Sequence, residues 1–562
     1  MDNLRFVLVM AFVMISYMIW EAWQIDYGPK PQVIVSETPT VDENGEPVVA
    51  AVANGNPASK ASAPVKVIPE NKIIRVETDV ISVEIDTRGG TLQNLDLLKY
   101  PKEKENTWVN KLREMVGLDP LKVDKSPVRL FDSRKDKLYL AQSGLIASGG
   151  FAKAPDHHAV FQANKVNYVL NEGADTMTVP LTWTNNQGLV VTKTYIFKKG
   201  SYDVTLEQTV SNETDKDWTG RQYSQLLRVP FSDKKGNNFI RTFAGGAIYT
   251  QEDKYQKISF EDMMEENLDV STQGGWAAMI QHYFAGAWVP PQDQENHIYT
   301  KELKDWRYVI GTYSPAYSVP AHSDRIYTAH LFAGPKIQPL MEQVAEGLEL
   351  TVDYSWLTII AKPIYWLLNK IHGYVDNWGV AILGVTLCIK LLFFKLSQAS
   401  YRSMAKMRKI QPKLKALQEK FKDDRQRFNT EMMAMYKREK VNPLGGCLPI
   451  MVQIPVFISL YWVLVETVEL RQAEFALWIQ DLSAQDPFYI LPILMGITMK
   501  IQQSLNPAPV DPLQAKIMKM FPIVFTVFFL FFPSGLVLYW VWNNSLSIIQ
   551  QWYITRQIEA ES

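Results

Sequence analysis

Residues 379–396, GVAILGVTLCIKLLFFKL, are apolar almost throughout, yet they contain a lysine at position 390. The stretch is long enough for a membrane-spanning helix, and Trp378 precedes it as aromatic residues do at membrane interfaces. A charged amine inside such a helix costs about 2.5–3.5 kcal/mol on insertion scales, so it normally faces water or a partner. We therefore expect a span at residues 378–396 in which Lys390 is hydrated.

Two arrangements would hydrate Lys390. Because the other apolar stretches carry no Asp or Glu in their cores, one possibility is a water-filled recess open to the nearer side of the membrane. The other is snorkelling, in which the lysine stem reaches part of the way to the membrane surface. Further polar side chains occur at membrane depth, where such residues more often bridge helices than carry function. They are Thr386, Gln453, Ser459, Asn543, Asn544 and Ser545.

The apolar stretches together predict six spans. Besides residues 378–396 they are an N-terminal anchor at 1–27 and segments at 447–465, 489–504, 517–532 and 535–553. A cleaved signal peptide is the alternative for the first stretch, but Trp20 and Trp23 follow it where a small-residue cleavage site would stand. Residues 533–535, Pro-Ser-Gly, form a tight turn between the last two spans.

Charge sets the orientation of these spans. The connection at 397–446 carries thirteen Lys and Arg against five acidic residues, which places it in the cytoplasm by the positive-inside rule. The connection at 466–488 is acidic and lies outside, while the loop at 505–516 has Lys516 at its exit and lies inside. Both termini are then cytoplasmic, and residues 28–377 lie on the outer side.

The outer region is predicted to be a tether followed by an all-β domain. Residues 28–66 are rich in Pro, Ala, Gly and Ser, which is typical of a flexible linker. Residues 67–345 alternate apolar and polar positions between turn signals such as Asn185–Gly188, which predicts a large antiparallel sandwich. Residues 346–377 are apolar with interspersed aromatics and a proline, Pro363, and favour a helix lying at the membrane interface.

Cysteine and histidine usage indicates neither a disulfide framework nor a metal site. The only two cysteines are Cys388 and Cys447, both in or beside apolar segments. The pair His157-His158 lacks metal-ligand spacing, and we interpret it as ordinary surface or core histidine. No nucleotide-binding or nucleophile motif stands out, so no cofactor is expected.

The basic connection at 397–446 predicts a helical hairpin with a coiled-coil seam, since its apolar residues recur at spacings of three and four. Two interpretations of its charge stay open: a solvated face on anionic lipid headgroups, or a contact with protein or ribosome. The basic residues expected to make such contacts are Arg402, Lys406, Arg408, Lys409 and Lys413.

Long motifs in the last third resemble the YidC family of membrane-protein insertases, of the Gram-negative type with a large periplasmic domain. They are KVNPLGGCLPIMVQIP at 440–455, VELRQAEFALWIQDLSAQDPFYILPILMG at 468–496 and FPIVFTVFFLFFPSGLVLYW at 521–540. The resemblance implies a bacterial inner-membrane protein with a β-supersandwich and a five-span core. It also implies a non-enzymatic role in inserting and folding nascent membrane proteins, alone or with the Sec translocon and its accessory SecDF complex.

The resemblance also implies a hydrophilic groove that carries one positive residue, usually arginine, at the position of Lys390. Lysine lacks the guanidinium fork, so a bidentate grip on a substrate carboxylate is not available to it. Other positions implied to line the substrate path are Thr386, Phe457, Met495, Phe528, Tyr539 and Trp540. The residues alone favour packing or lipid contact for Phe457, Met495 and Phe528, whereas the resemblance favours groove lining.

The C-terminal tail at 554–562 is short and holds Glu559 and Glu561, whereas some relatives carry a basic tail that contacts the ribosome. Ribosome contact would therefore rest on the basic hairpin and the loop at 505–516. Two other classes remain: a transporter or channel, which needs a second opening to the outside, and an anchored periplasmic enzyme or glycan binder, whose activity would reside in residues 67–345.

Overall fold

The computed structural model describes residues 72–148, 153–230, 242–354, 357–421, 424–439, 448–506 and 512–560. The predicted anchor at 1–27 and linker at 28–66 lie outside the described residues, as does part of the loop predicted at 505–516. The described chain forms two compact units. We call residues 72–104 and 122–352 the β unit, and residues 105–121 and 353–560 the helical unit.

The β unit consists of two large sheets. The first has the order β14-β17-β18-β11-β5-β3-β2-β1-β7, with β19 paired to β11 and β4 to β3; the second has the order β13-β12-β15-β16-β20-β10-β9-β8-β6. Strand pairs are antiparallel apart from β1 with β7. The strands are β1 Ile73–Glu77, β2 Ile81–Asp86, β3 Thr91–Pro101, β4 Pro127–Phe131, β5 Tyr139–Ala147, β6 Gln162–Ala163, β7 Asn167–Val169, β8 Thr176–Thr184, β9 Leu189–Lys198, β10 Asp203–Asn212, β11 Trp218–Arg228, β12 Gly245–Thr250, β13 Lys254–Ile258, β14 Asp269–Gln273, β15 Trp276–Ile280, β16 Phe284–Val289, β17 Glu295–Leu303, β18 Arg307–Tyr313, β19 Tyr317–Val319 and β20 Ser323–Pro335.

The core of this unit lies between the two sheets, because alternate residues of each strand point inward. One buried cluster joins residues from β5, β11 and β19 of the first sheet to residues from β9, β10 and β20 of the second, with Trp218 among them. The hairpin predicted at residues 185–188 connects β8 to β9. The predicted sandwich is therefore present, with a larger strand number than a single standard domain of this class.

A lysine lies inside this core. Lys193 on β9 is fully buried, and its Nζ donates to the carbonyl oxygens of Gly89 at 2.6 Å and Ser143 at 2.9 Å. Gly90 has a φ of +63°, and a Cβ there would stand 2.9 Å from Cδ of Lys193. The Gly89-Gly90 turn thus gives the chain a left-handed conformation and leaves space for the lysine stem.

The chain has eleven α-helices within its described residues. They are α1 Thr107–Met115, α2 Phe260–Glu265, α3 Gln338–Met341, α4 Thr358–Val375, α5 Trp378–Leu392, α6 Phe394–Lys420, α7 Arg425–Arg438, α8 Leu448–Glu466, α9 Ile490–Leu505, α10 Pro512–Phe529 and α11 Ser534–Ala560. Two of them, α2 and α3, belong to the β unit, and the other nine form the helical unit.

The first departure from expectation is α1. Residues 67–345 are predicted to form an all-β domain. In the structure a helix lies between β3 and β4, and its residues belong to the helical unit. The side chain of Asn106 caps this helix by accepting from the backbone N–H groups of Trp108 and Val109. Nine residues are too few for a strong periodic signal in a region otherwise patterned for strands.

The second departure concerns the span expected at residues 378–396. The helix ends at Leu392, Phe393 leaves the helical conformation, and α6 continues at an angle of 67° to α5. In the described parts of the chain no single helix is both long and apolar enough to cross a membrane, but this bent pair together meets the test of length and composition. Hydropathy is continuous across Phe393, so it could not reveal the break.

Other helix ends also differ from the predicted segments. The interfacial helix expected at 346–377 is shorter, with α4 beginning at Thr358 and Pro363 lying inside it. The last helix continues through most of the tail predicted at 554–562, and α10 begins before residue 517. Apolar composition marks where a helix contacts a nonpolar environment, whereas backbone hydrogen bonding continues into polar sequence.

Residues 467–489, which we call the outer loop, connect α8 to α9 and hold several helix ends together. The Asn377 side chain caps α5 and also donates to the Phe475 carbonyl at 2.9 Å. Ser534, the first residue of α11, donates through Oγ to the Asp481 carbonyl at 2.8 Å. Tyr365 on α4 donates to the carboxylate of Glu469 at 2.7 Å. The outer loop therefore fixes the positions of α4, α5 and α11 at one end of the unit.

Candidate functional site around Lys390

The site is built where α5 packs against α11. Trp542 on α11 donates its indole N–H to the Leu383 carbonyl on α5 at 3.1 Å, which fixes the two helices side by side. Lys390 lies on α5 two residues before the helix ends and is only 8% exposed. The break at Phe393 thus places the amine in the last turn, where the unpaired carbonyls of a helix C-terminus favour positive charge.

The amine of Lys390 is held by hydroxyl groups. Its Nζ donates to Oγ of Ser547 at 2.7 Å, and the Ser547 hydroxyl donates to the Asn543 carbonyl one turn earlier at 2.8 Å. Tyr401 on α6 also forms a hydrogen bond with Ser547. Among the described residues no carboxylate forms an ion pair with Lys390. The amine is therefore held by one neutral hydroxyl group, that of Ser547, and keeps the capacity to attract an anionic partner.

Buried polar side chains continue along α11 beyond Ser547. Gln550 lies on the same face one turn later, and both polar atoms of its amide are buried without a partner among the described atoms. Gln551 donates to the Leu505 carbonyl at 3.2 Å, and Asn544 to the Thr498 hydroxyl at 3.5 Å. Because buried amides require hydrogen bonds, the Gln550 side chain indicates a place for water or for a polar segment of another chain.

The predicted groove residues separate into two groups. Thr386 lies one turn before Lys390 on α5, and its hydroxyl donates to the Ile382 carbonyl of its own helix at 2.7 Å, so it gives the site little hydrogen-bonding capacity. The second group is aromatic: the Phe457 ring lies 5.9 Å from that of Tyr539 and 4.8 Å from that of Trp540. The described hydrogen bond of Lys390 runs instead to Ser547 on α11.

The aromatic group extends to α10. Trp540 contacts the ring of Phe529 at 5.7 Å, and Phe529 contacts Phe528 at 5.5 Å. Phe528 is 46% exposed, whereas Met495 on α9 is fully buried and packs inside the unit. The indole N–H of Trp540 is buried with no partner among the described atoms. The rings of Phe457, Tyr539 and Trp540 thus pack together, with Tyr539 buried, Phe457 and Trp540 half-buried and Phe528 exposed on α10, and Met495 supports the packing of α9.

Sequence reasoning did not find Ser547, Tyr401 or Gln550. A signal was present, because Asn543, Ser547 and Gln550 are spaced by four and three residues and so share one face of a helix that is otherwise largely apolar. Tyr401 carried no such signal, since it joins the site only through the bend between α5 and α6.

The helices α6 and α7 pack against each other beside this site. Ile410, Leu414 and Met435 form a small buried cluster, and Lys413 forms an ion pair of 2.7 Å with Glu439 just after α7. Of the basic residues predicted to make external contacts, Lys413 therefore already forms an ion pair between α6 and the end of α7. Arg402, Lys406, Arg408 and Lys409 are exposed.

Comparison with known proteins identifies the family. Residues 370–561 match the family described as 60Kd inner membrane protein, and residues 73–113 and 119–367 match the YidC periplasmic domain. The membrane protein insertase YidC of Methylococcus capsulatus is 55% identical over 100% of this chain and 99% of its own. This chain belongs to the YidC family of membrane protein insertases. The YidC proteins of Thioalkalivibrio sulfidiphilus and Nitrosococcus oceani are each 47% identical over the full chain.

Membership of the YidC family makes this a multi-pass protein of the inner membrane with a periplasmic domain. Among solved structures, an active YidC insertase with its first transmembrane domain resolved covers 87% of this chain at 17% identity, with a TM-score of 0.37. A galactose mutarotase related enzyme from Lactobacillus acidophilus covers 46% of this chain, with a TM-score of 0.29.

The two matched regions correspond to the two units, except that residues 105–113, 119–121 and 353–367 of the helical unit fall within the periplasmic-domain match. The periplasmic-domain match covers the strands, while the inner-membrane match covers Lys390, Ser547 and the aromatic group. Residues 114–118, at the end of α1, fall between the two matched pieces of the periplasmic domain.

Proposed function

We propose that this chain is a non-enzymatic insertase and chaperone, which inserts integral proteins into the bacterial inner membrane and helps them fold. The relatives named above are membrane protein insertases. The observation in this chain that carries the proposal is the amine of Lys390, held by Ser547 beside the unpartnered Gln550 amide. A charged and hydrated site inside a helical unit shortens the hydrophobic path that a polar segment must cross.

The surface of the helical unit supports a lipid-facing exit beside this site. Large apolar side chains are exposed along α9 and α10. In water such a surface would be an interaction site, whereas in a bilayer it faces lipid. The exposed side chains are Ile493, Leu494, Ile497, Ile501, Ile517, Met520, Phe521, Ile523, Val524, Val527 and Phe528. In the proposed mechanism the substrate's polar segment enters near Lys390, and its apolar helix leaves along Phe457, Tyr539 and Trp540. Burial of that helix in lipid drives the step, so no nucleotide or cofactor is needed.

The proposed topology has six spans, both termini in the cytoplasm and residues 28–377 in the periplasm, as the charge distribution predicts. Packed α6 and α7 then lie on the cytoplasmic side and present Arg402, Lys406, Arg408 and Lys409 to the ribosome or to anionic headgroups. The further partners are nascent membrane proteins, the Sec translocon and SecDF.

The decisive experiment is insertion of a small two-span substrate into liposomes that contain only this protein, scored by protease protection. Lys390→Glu is expected to abolish insertion because it repels acidic substrate residues and leaves an anion among hydroxyl groups, and Lys390→Ala to reduce it several-fold. Lys390→Arg restores the charge and is expected to retain activity. Lys370→Ala is the matched control, since Lys370 is an exposed lysine on α4.

If the unaltered chain and the Lys390→Glu, Lys390→Ala and Lys390→Arg variants insert the substrate equally well, the insertase proposal stands, but the charge at position 390 has no role in insertion. Absence of insertion by the unaltered chain in liposomes, followed by insertion when translocon or ribosomes are added, would limit the proposal to an assisted route. Absence of insertion in every reconstitution would overturn it.

A further inference from the structure

The helix α1 has no role in the site described above, although it belongs to the same unit. It lies between β3 and β4 in the chain, and its N-terminus is fixed to the outer loop. The Asn106 side chain donates to the Trp478 carbonyl at 3.1 Å, and the Thr107 backbone N–H donates to Oε1 of Gln480 at 2.8 Å. Gln480 returns a hydrogen bond to the Thr107 hydroxyl at 2.8 Å. Three hydrogen bonds therefore attach the start of α1 to the outer loop.

The rest of α1 presents an apolar face that none of the described residues covers. Trp108, Leu112 and Met115 recur at spacings of four and three, so they share one side of the helix, and they are 44%, 45% and 76% exposed. The opposite side holds Asn110, which is buried and receives the Leu121 backbone N–H at 2.9 Å. More exposed apolar side chains follow directly in the chain: Val116, Leu118 and Leu121.

A lysine borders this face. On a helical projection Lys111 falls beside Met115, whereas Arg113 and Glu114 lie on the opposite half of the helix, and Nε of Arg113 donates to the Asp119 carbonyl at 2.8 Å. An apolar arc with a tryptophan and a lysine at its border is the composition of helices that lie in the membrane interface. The Lys111 cation suits the phosphates of anionic lipids, and its long stem allows the charge to remain in the headgroup layer.

The outer loop indicates the depth at which α1 lies along the membrane normal. It contacts the starts of α5 and α11 and connects the end of α8 to the start of α9, and these are periplasmic ends in the proposed topology. The helix α4 of the same unit also exposes large apolar side chains, those of Ile359, Trp366 and Tyr374. We propose that α1 is a second interfacial anchor, whose Trp108–Leu112–Met115 face lies in the periplasmic leaflet of the bilayer. This inference rests on the membrane location and topology proposed above.

The test measures the depth of single labels in the full-length protein. Cys388 and Cys447 are replaced by serine, one new cysteine is introduced and labelled with a polarity-sensitive fluorophore, and the protein is reconstituted in vesicles of phosphatidylcholine and phosphatidylglycerol. The positions are Met115→Cys on the apolar face, Glu114→Cys on the far side of the same helix, and Leu392→Cys, an exposed apolar site on α5. Lipids with a quencher near the headgroup report contact.

The label at Met115 is expected to emit at shorter wavelength and to be quenched by roughly half, as suits a depth of about 5–10 Å below the headgroups, while the label at Glu114 is unaffected. A shorter emission wavelength without lipid quenching would mean burial against a second copy or a protein partner and would overturn the proposal. Equal quenching at Glu114 and Met115 would overturn it too. Quenching of the label at Leu392 but not of the label at Met115 would refute only the proposal that α1 is an anchor. Absence of quenching at both positions would also refute the membrane location.

Discussion

At the scale of single residues, two of the buried lysines, Lys193 and Lys390, differ in what surrounds them. Lys193 sits between the sheets of the β unit, where burial lowers its pKa to about 7 and the charge of Asp156 opposes that shift. Two carbonyls and the Ser143 hydroxyl accept from its amine. Lys390 instead donates to one hydroxyl group, that of Ser547, one turn before the Gln550 amide, which has no partner among the described atoms. The first lysine joins two sheets, whereas the second has no carboxylate partner among the described residues.

The pKa of Lys193 makes the stability of the β unit depend on pH. Between about pH 7 and pH 10 the folded state has lost a proton that the unfolded state keeps, so the free energy of unfolding rises with pH in this window. The expected gain from pH 7 to pH 9 is about 2–3 kcal/mol, and below pH 7 this contribution stays constant because both states are protonated. Pulse proteolysis in urea on the full chain in detergent measures it.

The matched pair for this measurement is Lys193→Met and Lys198→Met, the same substitution at a buried and an exposed position of β9. Lys193→Met is expected to flatten the dependence on pH, and Lys198→Met to leave it unchanged. A pH dependence that survives in Lys193→Met would assign it to another group.

The sequence pointed to Lys390 because one charge is conspicuous in an apolar run, and the resemblance added the aromatic positions. It did not point to Ser547, Tyr401 or Gln550, since hydroxyl and amide side chains occur in many spans as bridges between helices. Which of them meets the lysine depends on the angle between α5 and α6, which no local pattern encodes. The charge of the site was thus predictable, whereas the groups that hold it were not.

At the scale of elements, the outer loop depends on one buried carboxylate. Asp486 is 2% exposed and accepts the Trp478 indole N–H at 3.0 Å and two backbone N–H groups, those of Phe488 at 3.0 Å and Leu491 at 2.7 Å. Leu491 is in the first turn of α9, so the carboxylate also completes the start of that helix. The outer loop contacts α4, α5 and α11, and a carboxylate of its own, that of Asp486, holds it in place.

Asp486→Ala is expected to lower the free energy of unfolding of the helical unit in detergent by about 2–4 kcal/mol, because three buried donors lose their acceptor. Thermal unfolding of the two forms in detergent measures this difference. Asp486→Asn is the graded control: its carbonyl oxygen serves the donors of Trp478 and Phe488, and its amide cannot accept from Leu491. An intermediate effect for Asn, with faster proteolysis of the outer loop in the Ala variant, supports this role. Equal stability of all three forms would show that the loop is ordered by other contacts.

Element bounds show the limits of pattern reasoning in the same way. The alternation of the strands and the turn at residues 185–188 were predictable, because period two and turn chemistry are local. The helix α1 was not, since its short amphipathic pattern lies in a strand-rich region and its membership of the helical unit depends on Trp478 and Gln480, far along the chain. The pairing of Lys413 with Glu439 likewise needed the packing of α6 on α7.

At the scale of the whole molecule, the division into two units separates the proposed activity from the sandwich. Lys390, Ser547 and the aromatic group all lie in the helical unit, and the hydrogen bonds described for the Lys390 cluster come from that unit. We therefore predict that a chain in which residues 72–345 are replaced by a flexible linker keeps most of its insertion activity in liposomes. A periplasmic enzyme or glycan binder would lose its activity completely, because its site would lie in the deleted residues.

This deletion also removes α1, so a second chain distinguishes the loss of the sandwich from the loss of that helix. In it, Trp108, Leu112 and Met115 are changed to serine while the sandwich is retained. If α1 is only an anchor, this triple variant inserts the two-span substrate as well as the unaltered chain, and its label at Val116→Cys is no longer quenched by lipid. Loss of insertion in the deletion but not in the triple variant would assign a direct role to the sandwich and contradict the prediction. Equal loss in both would place the defect in α1, which then supports the helical unit during insertion.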